Sequence, residues 1–334
     1  GADLIMIGVK ATAIYEPTQV ETAKDLALKT EIPEHIIVEK FGLKQKRIAE
    51  SHEHASDLAV KAGEQILENI DRNEIDVLIY FGSPHKDYVV WSSAPKIQHD
   101  LRVKNAYAFE LMNVSSCFPI ALKVARDMLR SDDSINNILL VGGCKESQII
   151  DYSNPRSRFM FNFADGGAAA LISRNAEHEI LYSGIITDGS FSKDVYVPAG
   201  GTVHPTSIET VEKRMHYIDV PDPISMKERL DPVSIPNFVK SIELALSKSG
   251  LTKEDIDWVL PLHTKRSMFK ELLQRLDVKE EQAVYLDEYG HMSALDPCYG
   301  LEIIQRKKLV KKGDIIVTVS AGTGYTWAST IIRW

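Results

Sequence analysis

The sequence predicts an α/β protein made of two similar halves, each a sheet with helices on both faces. Three observations carry this. Amphipathic helical stretches alternate with short apolar runs, their order recurs in the second part of the chain, and each half closes on a glycine-rich turn followed by a strand.

Ala55 to Ile70 has helical apolar spacing and leads, through an acidic turn, into the strand-like run Ile75, Val77, Leu78, Ile79 and Tyr80. Ile235 to Ser249 repeats the pattern with Ile235, Phe238, Val239, Ile242, Ala245 and Leu246 on its apolar side. Gly250 stops that helix, and Thr252 to Asp255 opens into the strand Ile256 to Leu260. Ile138 to Val141 enters a glycine turn just as Ile315 to Val319 enters Ser320 to Gly324. Gly166 to Ser173 and Tyr325 to Trp334 then close the two halves as strands. A repeat this long marks a duplicated domain, since solenoid periods run to roughly 20–50 residues. The halves are placed at residues 1–175 and 176–334. The irregular stretch Ser190 to Pro232 reads as an insertion of the kind that shapes a substrate tunnel.

The 334 residues, 44% hydrophobic and 26% charged, are ample for a large buried core, and a formal charge of -8 argues against nucleic acid as a partner. No run reaches the roughly 20 apolar residues of a membrane span, and Gly1 to Lys10 lacks the blocks of a secretory signal, so a cytoplasmic protein without membrane partners is expected. Gly1, standing where an initiator Met would, reads as a processing remnant. Cys117, Cys144 and Cys298 show no CxxC spacing and no nearby histidine to complete a zinc site. Free thiols and no metal are expected.

Ala106 to Val114 reads as a strand, and beyond it Ile120, Val124 and Met128 form one helical stripe while Ala121, Ala125 and Leu129 form another. Cys117 therefore lies at a strand-to-helix junction, on the tip of a buried helix. Unpaired N–H groups and the helix dipole favour a thiolate there, and Pro119 fits a first turn that needs no donor from it. This geometry suits an acyl-accepting nucleophile. A free cysteine is also at home as a small buried apolar residue, and the local pattern leaves both readings open.

Four further segments stand in a fixed order around this cysteine: Phe41 to Ile48, Phe163 to Leu171, Val197 to Thr202, and Gly322 to Trp334. They resemble, in turn, the "T-G-I-x-x-R" segment, the "F-G-D-G-A-G-A-A" strand, the later glycine pair and the terminal "G-G-G-L-T-W-G" strand of β-ketoacyl-acyl carrier protein synthase III and its thiolase-superfamily relatives. The resemblance spans nearly the whole chain. It implies a thiolase-like fold layered α-β-α-β-α, a homodimer, acyl-coenzyme A or acyl carrier protein as partner, and thioester substrates in place of any resident cofactor.

The resemblance also implies a catalytic Cys, His and Asn where the halves meet. Cys117 takes the first role and His263, in Pro-Leu-His-Thr-Lys, the second. In place of "G-N-T-S" the chain has Gly290-His-Met-Ser293, so His291 takes the third. Cys117 would attack an acyl thioester, with the N–H groups of Cys117 and Gly324 as oxyanion donors. Decarboxylation of a malonyl thioester would then give an enolate bound by Nε2–H groups of His263 and His291.

Several positions depart from the pattern. Phe118 and Pro119 replace the small residues after the nucleophile, so Phe118 is expected to shape the acyl pocket. Ile36 stands where relatives stack a tryptophan on adenine, and "H-Q-A-N" becomes His263-Thr-Lys-Arg266. Lys265 and Arg266 either meet the phosphate of a pantetheine arm or an acidic carrier protein, or are solvated charge. Asp296 admits two readings. It is either the acid of a Cys117, His263, Asp296 triad serving acyl transfer to a hydroxyl or amine, or a cap on the following helix, with Pro297 in its first turn.

Overall fold

The computed structural model describes residues 5–334, so Gly1 lies outside it. In chain order, the first half runs β1 (Ile7–Tyr15), β2 (Gln19–Thr22), α1 (Ala23–Thr30), α2 (Glu34–Glu39), β3 (Gln45–Ile48), α3 (Ala55–Leu67), β4 (Val77–Tyr80), α4 (Ser93–Asp100), β5 (Tyr107–Glu110), α5 (Cys117–Ser131), β6 (Asn137–Lys145) and β7 (Asp165–Arg174). The second runs β8 (His178–Thr187), α6 (Ile208–Glu212), α7 (Pro223–Leu230), α8 (Ser234–Lys248), β9 (Trp258–Pro261), α9 (Arg266–Leu276), α10 (Asp296–Arg306), β10 (Ile315–Gly322) and β11 (Thr326–Arg333).

The main sheet has the order β5-β4-β6-β7-β1-β8-β11-β10-β9. It is two blocks of one design. In the first, β4 is parallel to β6, β6 antiparallel to β7, and β7 antiparallel to β1. In the second, β9 is parallel to β10, β10 antiparallel to β11, and β11 antiparallel to β8. Even β5, parallel to β4, has a vestigial counterpart in the parallel bridge of Ala283 to Val259. The blocks join through β1 and β8, where Gly8 pairs with Glu179 and Val9 with His178.

Period-two alternation in the buried strands explains the layers. In β6, Ile138 and Leu140 face the central core, while Leu139 and Val141 face an outer one. In β10, Ile316 faces the central core, while Ile315, Val317 and Val319 face the other outer one. Helices α5 and α10 fill the centre and touch strands of both blocks; α3 covers the first block and α8 the second. This is the expected α-β-α-β-α order. Close approach demands glycine at one point: a Cβ on Gly143 would come within 1.8 Å of the Ala55 carbonyl oxygen where α3 starts over β6.

Two segments differ from the sequence reading. Ala106 to Val114 is a strand only over Tyr107–Glu110, and its last residue, Val114, takes a left-handed φ of 50° and starts a 3-10 turn over Val114–Ser116. The stretch Ser190 to Pro232 is not wholly irregular, since it carries α6 and α7.

Candidate active site

The duplication builds the site. In the first half the 3-10 turn Val114–Ser116 delivers the chain into α5, whose first residue is Cys117. In the second, the 3-10 turn Ser293–Leu295 delivers it into α10, whose first residue is Asp296. Each turn begins with a left-handed residue, Val114 at φ 50° and Ser293 at φ 52°. Such backbone is costly for non-glycine residues and persists where surrounding packing imposes it. The two turns pack on each other, so Cys117 and Asp296 are structural counterparts brought together across the centre of the molecule.

Asp296 is completely buried, and its carboxylate is saturated with donors. Oδ2 accepts the backbone N–H of His263 at 2.8 Å and lies 2.5 Å from His291 Nδ1; Oδ1 accepts the Met292 N–H at 2.7 Å. This corrects both readings of Asp296. It reaches the backbone of His263 and not its ring, so no Cys117, His263, Asp296 triad is assembled. It also stands one place inside α10, with Leu295 at the cap position, so it does not act as a side-chain N-cap.

His291 is held at every polar atom. Its N–H donates to Asn162 O at 2.8 Å and its carbonyl accepts Ala164 N–H at 2.9 Å, while its ring packs beside Phe163. Lys46 fixes that partner strand from behind. Its fully buried Nζ donates to Phe161 O at 2.9 Å, Phe163 O at 2.6 Å and Tyr152 Oη at 2.7 Å, and burial lowers its pKa to about 8.

His263 follows β9 and is also buried, but neither ring nitrogen has a hydrogen-bond partner among the described residues. The backbone of Phe41 and Gly42 stands nearby, outside hydrogen-bond geometry, and the ring of Tyr285 lies 4.7 Å away. Burial, against an opposing pull from Asp296, lowers the imidazole to about 4. A neutral ring with one free N–H results at pH 7.

Cys117 is wholly buried, with Sγ donating to Leu111 O at 3.5 Å and the backbone of Asn113 also beside it. Burial pushes the thiol up to about 12, so the depression expected from the helix tip is not realised in this state. Desolvation outweighs a dipole that no cation reinforces. Cys144 and Cys298 are also buried free thiols, donating to the carbonyls of Ala164 and Ala169.

Among the remaining sequence candidates, Gly324 sits in the β10–β11 turn at φ 136°, and a Cβ there would meet nothing within 4 Å. Phe118 is buried with its ring 5.2 Å from Phe81. Arg266 lies over Tyr285 at 4.5 Å and 3.6 Å from Asp287, while Lys265 is exposed at the start of α9. Ile36 is half-buried in a small apolar cluster with Leu26, Ile37 and Phe161. Sequence reasoning missed Ser115, whose Oγ is 2.9 Å from His291 Nε2. The only signal was a hydroxyl two places before the nucleophile. Among the described residues, no group of three or more His, Cys, Asp or Glu is arranged to hold a metal, and no helix is long and apolar enough to cross a membrane.

A cysteine on one buried helix tip, paired across a duplicated α/β core with a second helix tip whose aspartate holds two histidine segments, defines a thiolase-like enzyme of acyl-thioester chemistry. Family models described as 3-oxoacyl-[acyl-carrier-protein] synthase III and its C-terminal region match residues 109–189 and 246–334. The β-ketoacyl-[acyl-carrier-protein] synthase III of Caldanaerobacter subterraneus subsp. tengcongensis is 33% identical, covering 99% of this chain and 98% of the relative. That of Syntrophomonas wolfei is 31% identical over 95% of this chain and 94% of the relative. Among solved structures, 3-oxoacyl-[acyl-carrier-protein] synthase III from Aquifex aeolicus superposes with a TM-score of 0.85 at 24% identity, covering 98% of this chain and 100% of its own. Xanthomonas campestris OleA, solved with lauric acid and lauroyl-CoA, shares the fold at a TM-score of 0.83 and 17% identity, with coverage of 98% and 99%. The chain belongs to the β-ketoacyl-[acyl-carrier-protein] synthase III family.

Proposed function

We propose that this enzyme is an acyltransferase of the condensing type, which loads an acyl group on Cys117 and joins it to a malonyl thioester with loss of carbon dioxide. The observation that carries the reading is the packing of the turn before Cys117 on the turn before Asp296, whose carboxylate holds the His263 backbone and the His291 ring. Cys117 Sγ attacks the thioester carbonyl, and backbone N–H groups of Cys117 and Gly324 receive the oxyanion. Neutral His263, with no competing partner, is free to give its N–H to the enolate oxygen. The donors are acyl groups on coenzyme A or on the phosphopantetheine of an acyl carrier protein. These are substrates, and the step needs no resident cofactor.

The test is intact-protein mass spectrometry with an acyl-thioester panel, followed by carbon dioxide release from malonyl-coenzyme A and malonyl-carrier protein. His291→Ala is expected to keep acylation of Cys117 and lose carbon dioxide release. Wild-type protein that releases none, yet passes acyl groups to oxygen or nitrogen acceptors, favours the second reading: a non-decarboxylating acyltransferase. One observation favours that alternative, the Asp296-held His291, whose Nε2 points to a hydroxyl.

A homodimer is part of the proposal. Strand β5 is an edge of the sheet, and Tyr88, Val89, Val90, Tyr107 and Met112 are exposed on it or around it. The Lys86–Glu110 ion pair, at 2.8 Å, ties the loop carrying three of these residues to β5. An apolar edge strand pairs readily with its own copy across a two-fold. Light scattering at the mass of one 37.4 kDa chain would count against it.

A further inference from the structure

The hydrogen bonds of Asp296 fix the direction of a proton chain that ends on Ser115. An ionised carboxylate accepts only, so the contact to His291 Nδ1 at 2.5 Å puts the ring proton on Nδ1. When the ring carries that one proton, Nε2 presents a lone pair, and the hydrogen bond to Ser115 at 2.9 Å runs from the hydroxyl to the ring. Serine donates to histidine, and histidine donates to aspartate. Nucleophile, base and orienter stand in the order that activates a hydroxyl.

The rest of the setting agrees. The Ser115 carbonyl accepts Ser320 Oγ at 2.6 Å, which pins the residue to β10. Ser116 is committed elsewhere, donating to Asn113 O at 2.7 Å and accepting from Asn113 Nδ2 at 2.8 Å. Ser115 and His291 keep 9% and 7% of their surface exposed, whereas Cys117 and Asp296 have 0%. Among the described residues, the thiol has no base within hydrogen-bond reach.

We propose that Ser115 is a second nucleophile of this site, able to take an acyl group from a bound acyl thioester as an oxygen ester. Ser115 Oγ attacks the thioester carbonyl carbon as its proton passes to His291 Nε2, and the imidazolium is stabilised by Asp296. The tetrahedral adduct collapses, the C–S bond breaks, and the leaving pantetheine thiolate takes the proton back from His291. The C–O bond replaces the C–S bond with no redox change. The inference rests on the condensing reading only for the identity of the donor.

Two measurements test it. A fluorophosphonate probe, which needs an activated hydroxyl and no substrate, is expected to label Ser115 in the wild-type protein, located by fragment-ion mapping. Labelling should vanish in Ser115→Ala and slow more than tenfold in Asp296→Asn. With acetyl- or octanoyl-coenzyme A, Cys117→Ala is expected to gain one acyl group on Ser115 that resists neutral hydroxylamine, and Cys117→Ala/His291→Ala to gain none. A label on Ser116, no label, or an unchanged rate in Asp296→Asn overturns the proposal, as does unacylated Cys117→Ala that keeps the wild-type circular dichroism spectrum. Absence of carbon dioxide release from wild type overturns condensation and leaves the Ser115 result standing, so the two failures are distinct.

Discussion

Replacing His263 by Gln should remove a defined part of the acid sensitivity of the fold. Burial holds this imidazole at about 4 against an ordinary 6.5. The folded state therefore binds the proton more weakly than the unfolded chain. A lowered histidine contributes stability that is complete above pH 6.5 and is lost as pH falls toward 4. At about 1.4 kcal/mol per unit, the loss between those limits is about 3 kcal/mol. Buried carboxyls that burial raises, such as Glu146 and Asp165, act with the opposite sign, so only the difference between proteins isolates the histidine. Urea unfolding at pH 7 and at pH 4.5 provides the measurement. Wild type should lose about 2–3 kcal/mol more than His263→Gln between these points. Equal losses would refute the argument that an unpartnered, desolvated ring titrates at this position.

Three further outcomes follow from the same geometry. Cys117 should alkylate with iodoacetamide ahead of Cys144 and Cys298, yet at pH 7 about 10³-fold more slowly than a free thiol, since a group at about 12 is a far rarer thiolate than one at 8.5; labelling at the free-thiol rate would contradict the closed state. Lys46→Met leaves Phe161 O, Phe163 O and Tyr152 Oη without their donor, so stability should fall by about 2–4 kcal/mol, read by urea midpoint, and carbon dioxide release should fall as His291 loses its support. Asp296→Asn places an amide N–H among groups that themselves donate, so unfolding free energy should drop by about 3 kcal/mol, where a mere helix-start change would cost about 1.

The architecture was legible because buried strands and amphipathic helices leave periodic traces, and a duplicated domain leaves them twice. The pairs Ala55–Leu67 with Ser234–Lys248, and Val77–Tyr80 with Trp258–Pro261, are read from apolar spacing alone. The turn at Val114 was not legible, because its left-handed backbone is imposed by packing on Ser293–Leu295 and no local residue signals it. Cys117 and His263 could be placed on element ends from the strand and helix patterns. The wiring of Asp296 could not. Its distance in sequence to both histidines is small or large without meaning, and only the fold decides that one offers a ring nitrogen and the other a backbone N–H. Ser115 was invisible for the same reason, since its partner is 176 residues away.

Cys117 and Asp296 occupy the same position in the two halves, each the first residue of a central helix, and yet the surroundings treat them oppositely. Both receive the positive end of a helix dipole, worth about 0.3–1 kcal/mol to an anion. Around Asp296 two backbone N–H groups and a ring N–H converge on the carboxylate, so it is stabilised as an anion by directed donors. Around Cys117 the thiol donates to a carbonyl oxygen, which opposes a thiolate, and the pull of the Asn113 backbone the other way is outweighed by burial. The dipole is common to both, so it cannot be what sets their charge; the directed donors are. His291 is joined to the anion and can carry a proton, while His263 is joined to nothing through its ring and can only present one. The two histidines are therefore not interchangeable: the relay belongs to His291, the fixed donor is His263, and the hydroxyl within reach of the relay is Ser115.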